Sequence, residues 1–436
     1  MKKTIFTAIF AVFISSVSLL SAQELLTPEA AVSYALNKNF DIILARNEAD
    51  IAKINNNKAT AGMLPTINVS TGDVFNLNNI NQKFSTGQSV KKNWVPVNAF
   101  NLGLNLDWKI FDGMRMFAAK DRLEALQALG EIQLKSKVQD VVAQTLNAYY
   151  AIVQQKQLIK ATKESSEISS ERVNLAQKKL DVGYSDKTPL LQAQVDYSTQ
   201  QLNILKQETA LEQAKISLNE ILGRAANEDF TVIDTIVVEE IPTIKNVQDS
   251  VLNSNYLVQA AEKNIVISKF QHKEIKAQRL PQINFSSSYS FNQNNSKAGL
   301  QLYNRSYGPT FGINATIPIF NGGQVKKQLE VSAVNIAMQQ IGLDKIKQEL
   351  DSRILSAFKN YEYAQKMLDL NENIVRSAQE NIQISLERYR LNQSTAVEVK
   401  QAQSSYEEAL YNAILARYNA KLAEIELKRL SNDLAK

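Results

Sequence analysis

The chain has 436 residues, a formal net charge of +5, no cysteine and a single histidine, His272. This excludes a disulfide framework and any thiolate metal site, and leaves almost nothing for imidazole chemistry. The charge falls to +3 (5 − 2) if Lys2 and Lys3 leave with a leader, too weak a balance to argue for nucleic acid. Glycine and proline number only 14 and 8, the composition of long helices with sharp punctuation.

The first residues read as a secretory signal peptide, 1–22. Lys2 and Lys3 are its basic start, Thr4 to Leu20 its apolar run, and Ser21-Ala22-Gln23 its cleavage point. The run is short for a membrane span of about 20 residues. Thr27-Pro28-Glu29 then opens a helix with a threonine cap, proline in the first turn and an acid beside it. That helix is expected to run to about Ala61, where Gly62 and Pro65 end it.

Two strands follow, at about 66–77 and 99–111. In the second, Phe100, Leu102, Leu104, Leu106, Trp108 and Ile110 alternate with Asn101, Gly103, Asn105, Asp107 and Lys109. A strict period of two with one apolar and one polar face is the pattern of a strand between lipid and water, and its length matches a span of about 9–11 residues. The polar stretch 76–98 reads as an exposed loop.

A long helix is expected over 114–179, a tip over 180–187 and a return helix over 188–222. The outgoing arm is on the order of 100 Å long at ~1.5 Å per residue, so it must pair with neighbours along its length. Residues 223–245 break the pattern, with Asp229–Val232 and Ile236–Val238 as short strand candidates closed by Pro242.

The pattern then repeats over 246–430: a helix from about Val247 to Gln278, strands at about 282–293 and 307–320, a long helix 323–389, a tip 390–394 and a return helix 395–430, with a tail 431–436. Phe311, Ile313 and Ile317 continue the apolar strand face of the first half. Leu180–Tyr197 and Tyr389–Tyr406 align at an offset of 209 (389 − 180), sharing Gln192-Ala193-Gln194 with Gln401-Ala402-Gln403. Ile110-Phe111-Asp112-Gly113 and Ile319-Phe320-Asn321-Gly322 have the same offset. Leu64-Pro65 and Leu280-Pro281 lie 216 apart (280 − 64). An internal duplication therefore fixes the architecture.

Four amphipathic strands cannot close a barrel, and an open edge in lipid leaves backbone groups unpaired at several kcal/mol each. Barrels in lipid begin at about 8 strands, so copies must combine. Two copies give 8 strands and three give 12; the polar inner faces favour the wider, wet lumen of three.

The repeated Leu-Pro-x-Ile-Asn strand openings, the Ile-Phe-[Asp/Asn]-Gly turns and the two tips together resemble the outer-membrane efflux protein family, the TolC-like outer membrane factors. The resemblance covers about Thr27 to Leu430. It implies an α+β membrane protein: a homotrimer sharing a 12-stranded β-barrel, continued by a coiled-coil α-helical barrel with a mixed α/β equatorial belt. It implies location in the Gram-negative outer membrane, reaching into the periplasm, with no cofactor and no nucleic acid. The partners it implies are outer-membrane lipid, a periplasmic adaptor (membrane fusion) protein and an inner-membrane pump of RND, ABC or MFS type. The function implied is a passive duct for efflux or type I secretion.

Carried onto this sequence, the resemblance puts the adaptor-docking tips at Val182, Gly183, Tyr184 and at Leu391, Asn392, Gln393. Tyr184 stands where the family has leucine, and Asn392 where it has glycine. The periplasmic gate falls on Tyr389, Ser394, Glu398 and Gln401; the family's salt-linked lock is not reproduced, since serine, glutamine and Pro189 occupy three of its charged positions. Glu398 is expected to ring the entrance and favour cations. The competing reading is a periplasmic or secreted coiled-coil structural protein without a channel. No phosphate-cradling loop, metal-spaced His or Cys, or Ser/His/Asp set supports an enzyme.

Overall fold

The computed structural model describes residues 24–239, 244–299 and 301–434. The expected leader and the closing Pro242 lie outside these residues. The chain divides into two compact units. One takes in the chain up to Leu44, Ser136–Asn255 and Glu349 onward; the other is Ala45–Lys135 with Tyr256–Gln348.

The second unit carries the sheet. Strands β2 (Thr66–Lys83), β3 (Ser89–Asp112), β5 (Gln282–Ser296) and β6 (Tyr303–Thr316) are antiparallel in the order β2-β3-β5-β6. The hairpin registers repeat residue for residue. Thr66 pairs with Asp107 and Gln282 with Thr316, and 66 + 216 = 282 while 107 + 209 = 316. One face pairs Ile67 with Leu106, Val69 with Leu104, Trp108 with Phe285 and Phe285 with Ile313. The other pairs Asn68 with Asn105, Ser70 with Gly103, and Ser286 with Gly312. Gly103 and Gly312, again 209 apart, are each roofed by a serine: an added Cβ would lie 3.1 Å from the Oγ of Ser70 or of Ser286.

The stretch 76–98 is not a loop. β2 runs on to Lys83 and β3 begins at Ser89, leaving Phe84–Gln88 as the turn, where the Phe84 amide donates to the Gln88 carbonyl at 2.8 Å. The polar side chains hid a ladder whose backbone groups still pair. The last strand lies four residues earlier than expected: β6 runs Tyr303–Thr316 instead of about 307–320, so Ile317 lies beyond it. Pro318, lacking an N–H, cannot extend the ladder, whereas β3 continues to Asp112.

The two expected opening helices are each broken once. α1 (Pro28–Lys38) and α2 (Phe40–Asn55) meet at Asn39; α5 (Ile244–Ser254) and α6 (Tyr256–Ala277) meet at Asn255, 216 residues on (255 − 39). The Asn39 amide donates to the Ile221 carbonyl at 2.7 Å and its Oδ1 accepts from the amides of Asp41 and Ile42, capping α2. The Asn255 amide donates to the Leu430 carbonyl at 2.8 Å, and 430 − 221 is 209. Each asparagine thus ties a helix break to the last turn of a return helix, α4 (Thr188–Leu222) or α8 (Ala396–Leu430).

The long helices are α3 (Arg115–Asp181) and α7 (Gln324–Arg390), 67 residues each. In the first unit a short strand that the sequence reading missed, β1 (Glu24–Leu26), pairs in parallel with β4 (Phe230–Val232). Ile236–Val238 forms no strand. The buried Tyr149 hydroxyl donates to the Leu26 carbonyl at 2.8 Å and accepts from the Ile233 amide at 3.3 Å. Burial pushes its pKa up to about 12, so it stays a donor at every physiological pH.

Candidate functional site

The two tips lie in the first unit and close by the same hydrogen bonds. α3 ends at Asp181, and Gly183 takes φ +74°. The Tyr184 amide then reaches back to the Lys179 carbonyl at 2.8 Å. α7 ends at Arg390, Asn392 takes φ +58°, and the Gln393 amide reaches the Arg388 carbonyl at 2.7 Å. These are helix C-caps closed by a left-handed residue, which asparagine tolerates where glycine is the default. Val182, Tyr184 and Leu391 are exposed, leaving apolar side chains at both turns.

A side-chain oxygen meets the start of each return helix, from the N-cap Thr395 in α8 but from the residue before the N-cap Lys187 in α4. Asp186 Oδ1 accepts from the Thr188 amide at 2.8 Å, and Thr395 Oγ1 from the Glu398 amide at 3.2 Å. Ser394 Oγ donates to Glu398 Oε2 at 2.6 Å. Of the four expected gate residues, these two are joined. Gln401 and Glu398 are exposed on α8. Tyr389 is separate and buried, in a cluster with Ile382, Val399, Ala402 and Tyr406. The Lys179 ammonium sits 3.5 Å over its ring centroid and also donates to its backbone carbonyl. Burial lowers the pKa of Lys179 and raises that of Tyr389.

Sequence reasoning missed a buried polar centre that joins three helices. Arg172 on α3 donates to Asp196 Oδ2 on α4 at 3.0 Å and to Gln403 Oε1 on α8 at 2.9 Å. Lys400 Nζ and Gln192 Nε2 donate to Asp196 Oδ1 at 2.8 and 3.0 Å. The Gln403 amide donates to Ser169 Oγ at 2.7 Å and to Glu407 Oε1 at 2.9 Å. Burial acts to raise the Asp196 pKa, but hydrogen bonds from Lys400, Gln192 and Arg172 outweigh it and hold the carboxyl below its usual range. Three helices are joined here by groups that are themselves satisfied, which makes the tie stiff and costly to break at one member. A further tie runs from Arg390, at the base of the second tip, to Glu171 on α3. The duplicated Gln-Ala-Gln was the available signal: Ala193 and Ala402 are buried at the seams, and Gln192 and Gln403 join the network.

On the sheet, Leu102, Leu104, Trp108, Phe311 and Ile313 are exposed and Phe100 and Leu106 half-buried, all on the apolar face; the Trp108 indole donates to the Met63 carbonyl at 3.0 Å. Among the described residues no helix is long and apolar enough to cross a membrane, and no group of His, Cys, Asp or Glu is placed to hold a metal.

The profile of the outer membrane efflux proteins matches residues 31–224 and 247–433. The chain belongs to the outer membrane efflux protein family. It is 22% identical over 334 residues to the outer membrane efflux protein BepC of Brucella suis biovar 1 (strain 1330), covering 75% of this chain and 70% of that protein. It is 22% identical over 354 residues to the outer membrane protein TolC of Escherichia coli (strain K12), covering 77% and 70%. The fold is shared with the solved structure of CusC, at a TM-score of 0.79 and 17% identity over 93% of this chain and 91% of that one. As a family member this efflux protein is a channel of the Gram-negative outer membrane, reaching into the periplasm. The match in two blocks, one per half, follows the repeat seen in the hydrogen bonds.

Proposed function

We propose that this efflux protein works as a homotrimer whose twelve strands close one barrel, passing cargo outward from an inner-membrane pump and a periplasmic adaptor. Trimers are typical of the family, and its channels work with such partners. The observation that carries the reading is the open four-stranded sheet, apolar on one face and Asn/Ser/Gly-lined on the other, with β2 and β6 as edges. Lipid does not tolerate such edges, and sister copies supply the missing partners.

The adaptor docks at Val182, Gly183, Tyr184 and Leu391, Asn392, Gln393, where exposed apolar side chains stand on rigid helix caps. Tyr389, Ser394, Glu398 and Gln401 line the periplasmic gate, and the Arg172–Asp196–Gln403 tie holds the return helices against α3. Phe100, Leu102, Leu104, Leu106, Trp108, Phe311, Ile313 and Ile317 meet lipid. Among these, Glu398 is the group that sets ion preference, because three copies at one constriction sum their fields.

Membrane fractionation followed by planar-bilayer recording of the purified protein tests the reading. The expected result is a heat-modifiable oligomer in the outer membrane that conducts ions. A water-soluble chain that neither inserts nor conducts would favour the structural coiled-coil reading instead.

A further inference from the structure

A single cation stands among the apolar side chains of β6. Strand alternation puts Arg305 on the same face as Tyr307, Phe311, Ile313 and Ala315. From Ala315 to Arg305 is 10 residues (315 − 305), ~33 Å along the strand at about 3.3 Å each. At a strand tilt of about 40° that is about 25 Å along a barrel axis, the height of the apolar band of an outer-membrane barrel. Arg305 therefore sits where hydrocarbon gives way to headgroups, at the end of the sheet away from α7.

The side chain is exposed and held in place. Arg305 donates to Gln293 Oε1 at 3.2 Å. Its guanidinium lies 5.6 Å from the Phe291 ring centroid and 5.5 Å from that of Tyr303. Phe100 braces Phe291 edge-on, at 6.2 Å between centroids. An amide and two rings thus fix a fork whose other N–H groups suit two oxygens of a phosphate.

No carboxylate answers it. Between Val74 and Leu106, and between Gln282 and Thr316, the chain has no acidic residue but five cations: Lys83, Lys91, Lys92, Lys297 and Arg305. The formal net charge of +5 lies wholly in these two stretches (5 − 5 leaves zero elsewhere). Asp73 shares the rung of Arg305, through Phe100 and Gln293, but it is three strand spacings away, about 14 Å. Sister copies carry the same acid-free stretches.

We infer that Arg305 binds a phosphate on the headgroup of an anionic lipid in the outer leaflet. This rests on the proposed barrel and adds one specific lipid contact to it. Cargo in the lumen is not the occupant: it meets the opposite face, with Asn304, Ser306 and Thr310. A cation on the lipid face is costly at mid-membrane and cheap at the boundary, where it gains an anionic partner. The four lysines extend the field that draws such headgroups to this end of the sheet.

Native mass spectrometry of the full-length oligomer, exchanged into lipid-free detergent and then given lipid A, counts the lipid retained. Phosphorylated lipid A is expected to be held roughly fivefold more than its dephosphorylated form, and Arg305→Gln should remove most of that difference. Arg305→Lys keeps the charge but loses the fork, so it should fall between. Lys109→Gln, on the polar face near the base of β3, should change nothing. Equal retention by Arg305→Gln and the parent, while both conduct, would overturn the inference and leave the duct reading standing. Displacement of the lipid by inorganic phosphate at equal concentration would make this a free-anion site and overturn the lipid assignment. A parent chain that neither inserts nor conducts would instead sink the proposed barrel itself.

Discussion

Arg172 and Asp196 meet at 3.0 Å with side chains only 5% and 14% exposed, joining α3 to α4 eight and nine residues from the first tip (180 − 172, 196 − 187). Removing one partner strands the other: Asp196→Ala leaves a buried guanidinium, at a cost of about 3–5 kcal/mol. The expected outcome is faster proteolysis at both tips and a larger open-state conductance. Replacing both charges, as Arg172→Met/Asp196→Leu, should recover most of the loss, because a well-packed apolar pair often matches a buried ion pair. Limited proteolysis of the two variants side by side checks this.

The same carboxyl sets the acid limit of the tie. Asp196 has its pKa lowered in the folded chain, so its contribution is complete above the unfolded carboxylate value of about 3.9 and is lost as pH falls below it. Tip proteolysis by an acid-tolerant protease is expected to be flat from pH 8 to pH 5 and to rise only below about pH 4. A midpoint near pH 6 would assign the change to another group.

Glu398→Gln is expected to move the reversal potential of the reconstituted channel, in a salt gradient, away from the cation limit. The mutation keeps the Thr395 cap and a partner for Ser394, so the fold is unaffected. An unchanged reversal potential would remove Glu398 from the conduction path.

Gly113 and Gly322 are repeat equivalents, and both have positive φ, +71° and +64°. A Cβ on Gly113 would lie 2.4 Å from the Ala277 carbonyl oxygen, whereas one on Gly322 meets nothing within the chain. Backbone strain alone costs each alanine about 1–2 kcal/mol. Gly113→Ala should therefore lower the yield of folded chain. Gly322→Ala carries the strain without the clash and should lower that yield less. Expression levels of the two variants, compared side by side, check the difference.

Asn39→Ala and Asn255→Ala each remove a hydrogen bond to a return-helix carbonyl, and Asn39→Ala removes a cap of α2 worth about 1 kcal/mol. Each is expected to lower the thermal midpoint of the extracted protein by a few degrees. An unchanged midpoint in both would mean that the two ties to the return helices contribute nothing.

Legibility in the sequence followed the strength of the periodicity. The strand alternation at Phe100–Ile110 and the glycine-bearing turns carry backbone constraints that few residues satisfy, so they marked the repeat to the residue. The upper parts of β2 and β3 were hidden because Asn, Gln and Lys on both faces erase the period of two, although the backbone ladder persists. The breaks at Asn39 and Asn255 looked like helix interior, since a side chain bonding a carbonyl some 180 residues away leaves no local trace. Arg172 and Asp196 read as ordinary charges on a solvated helix face; only the packing of α3, α4 and α8 buries them. β1 has three residues, too few for any pattern to declare itself.

The account depends most on strands that a single chain cannot seal. Native mass spectrometry of the detergent-extracted protein measures this directly. Three copies per particle, held through detergent removal in the gas phase, is the predicted result. A monomer, or a dimer whose 8 strands would be filled by their own side chains, would contradict it.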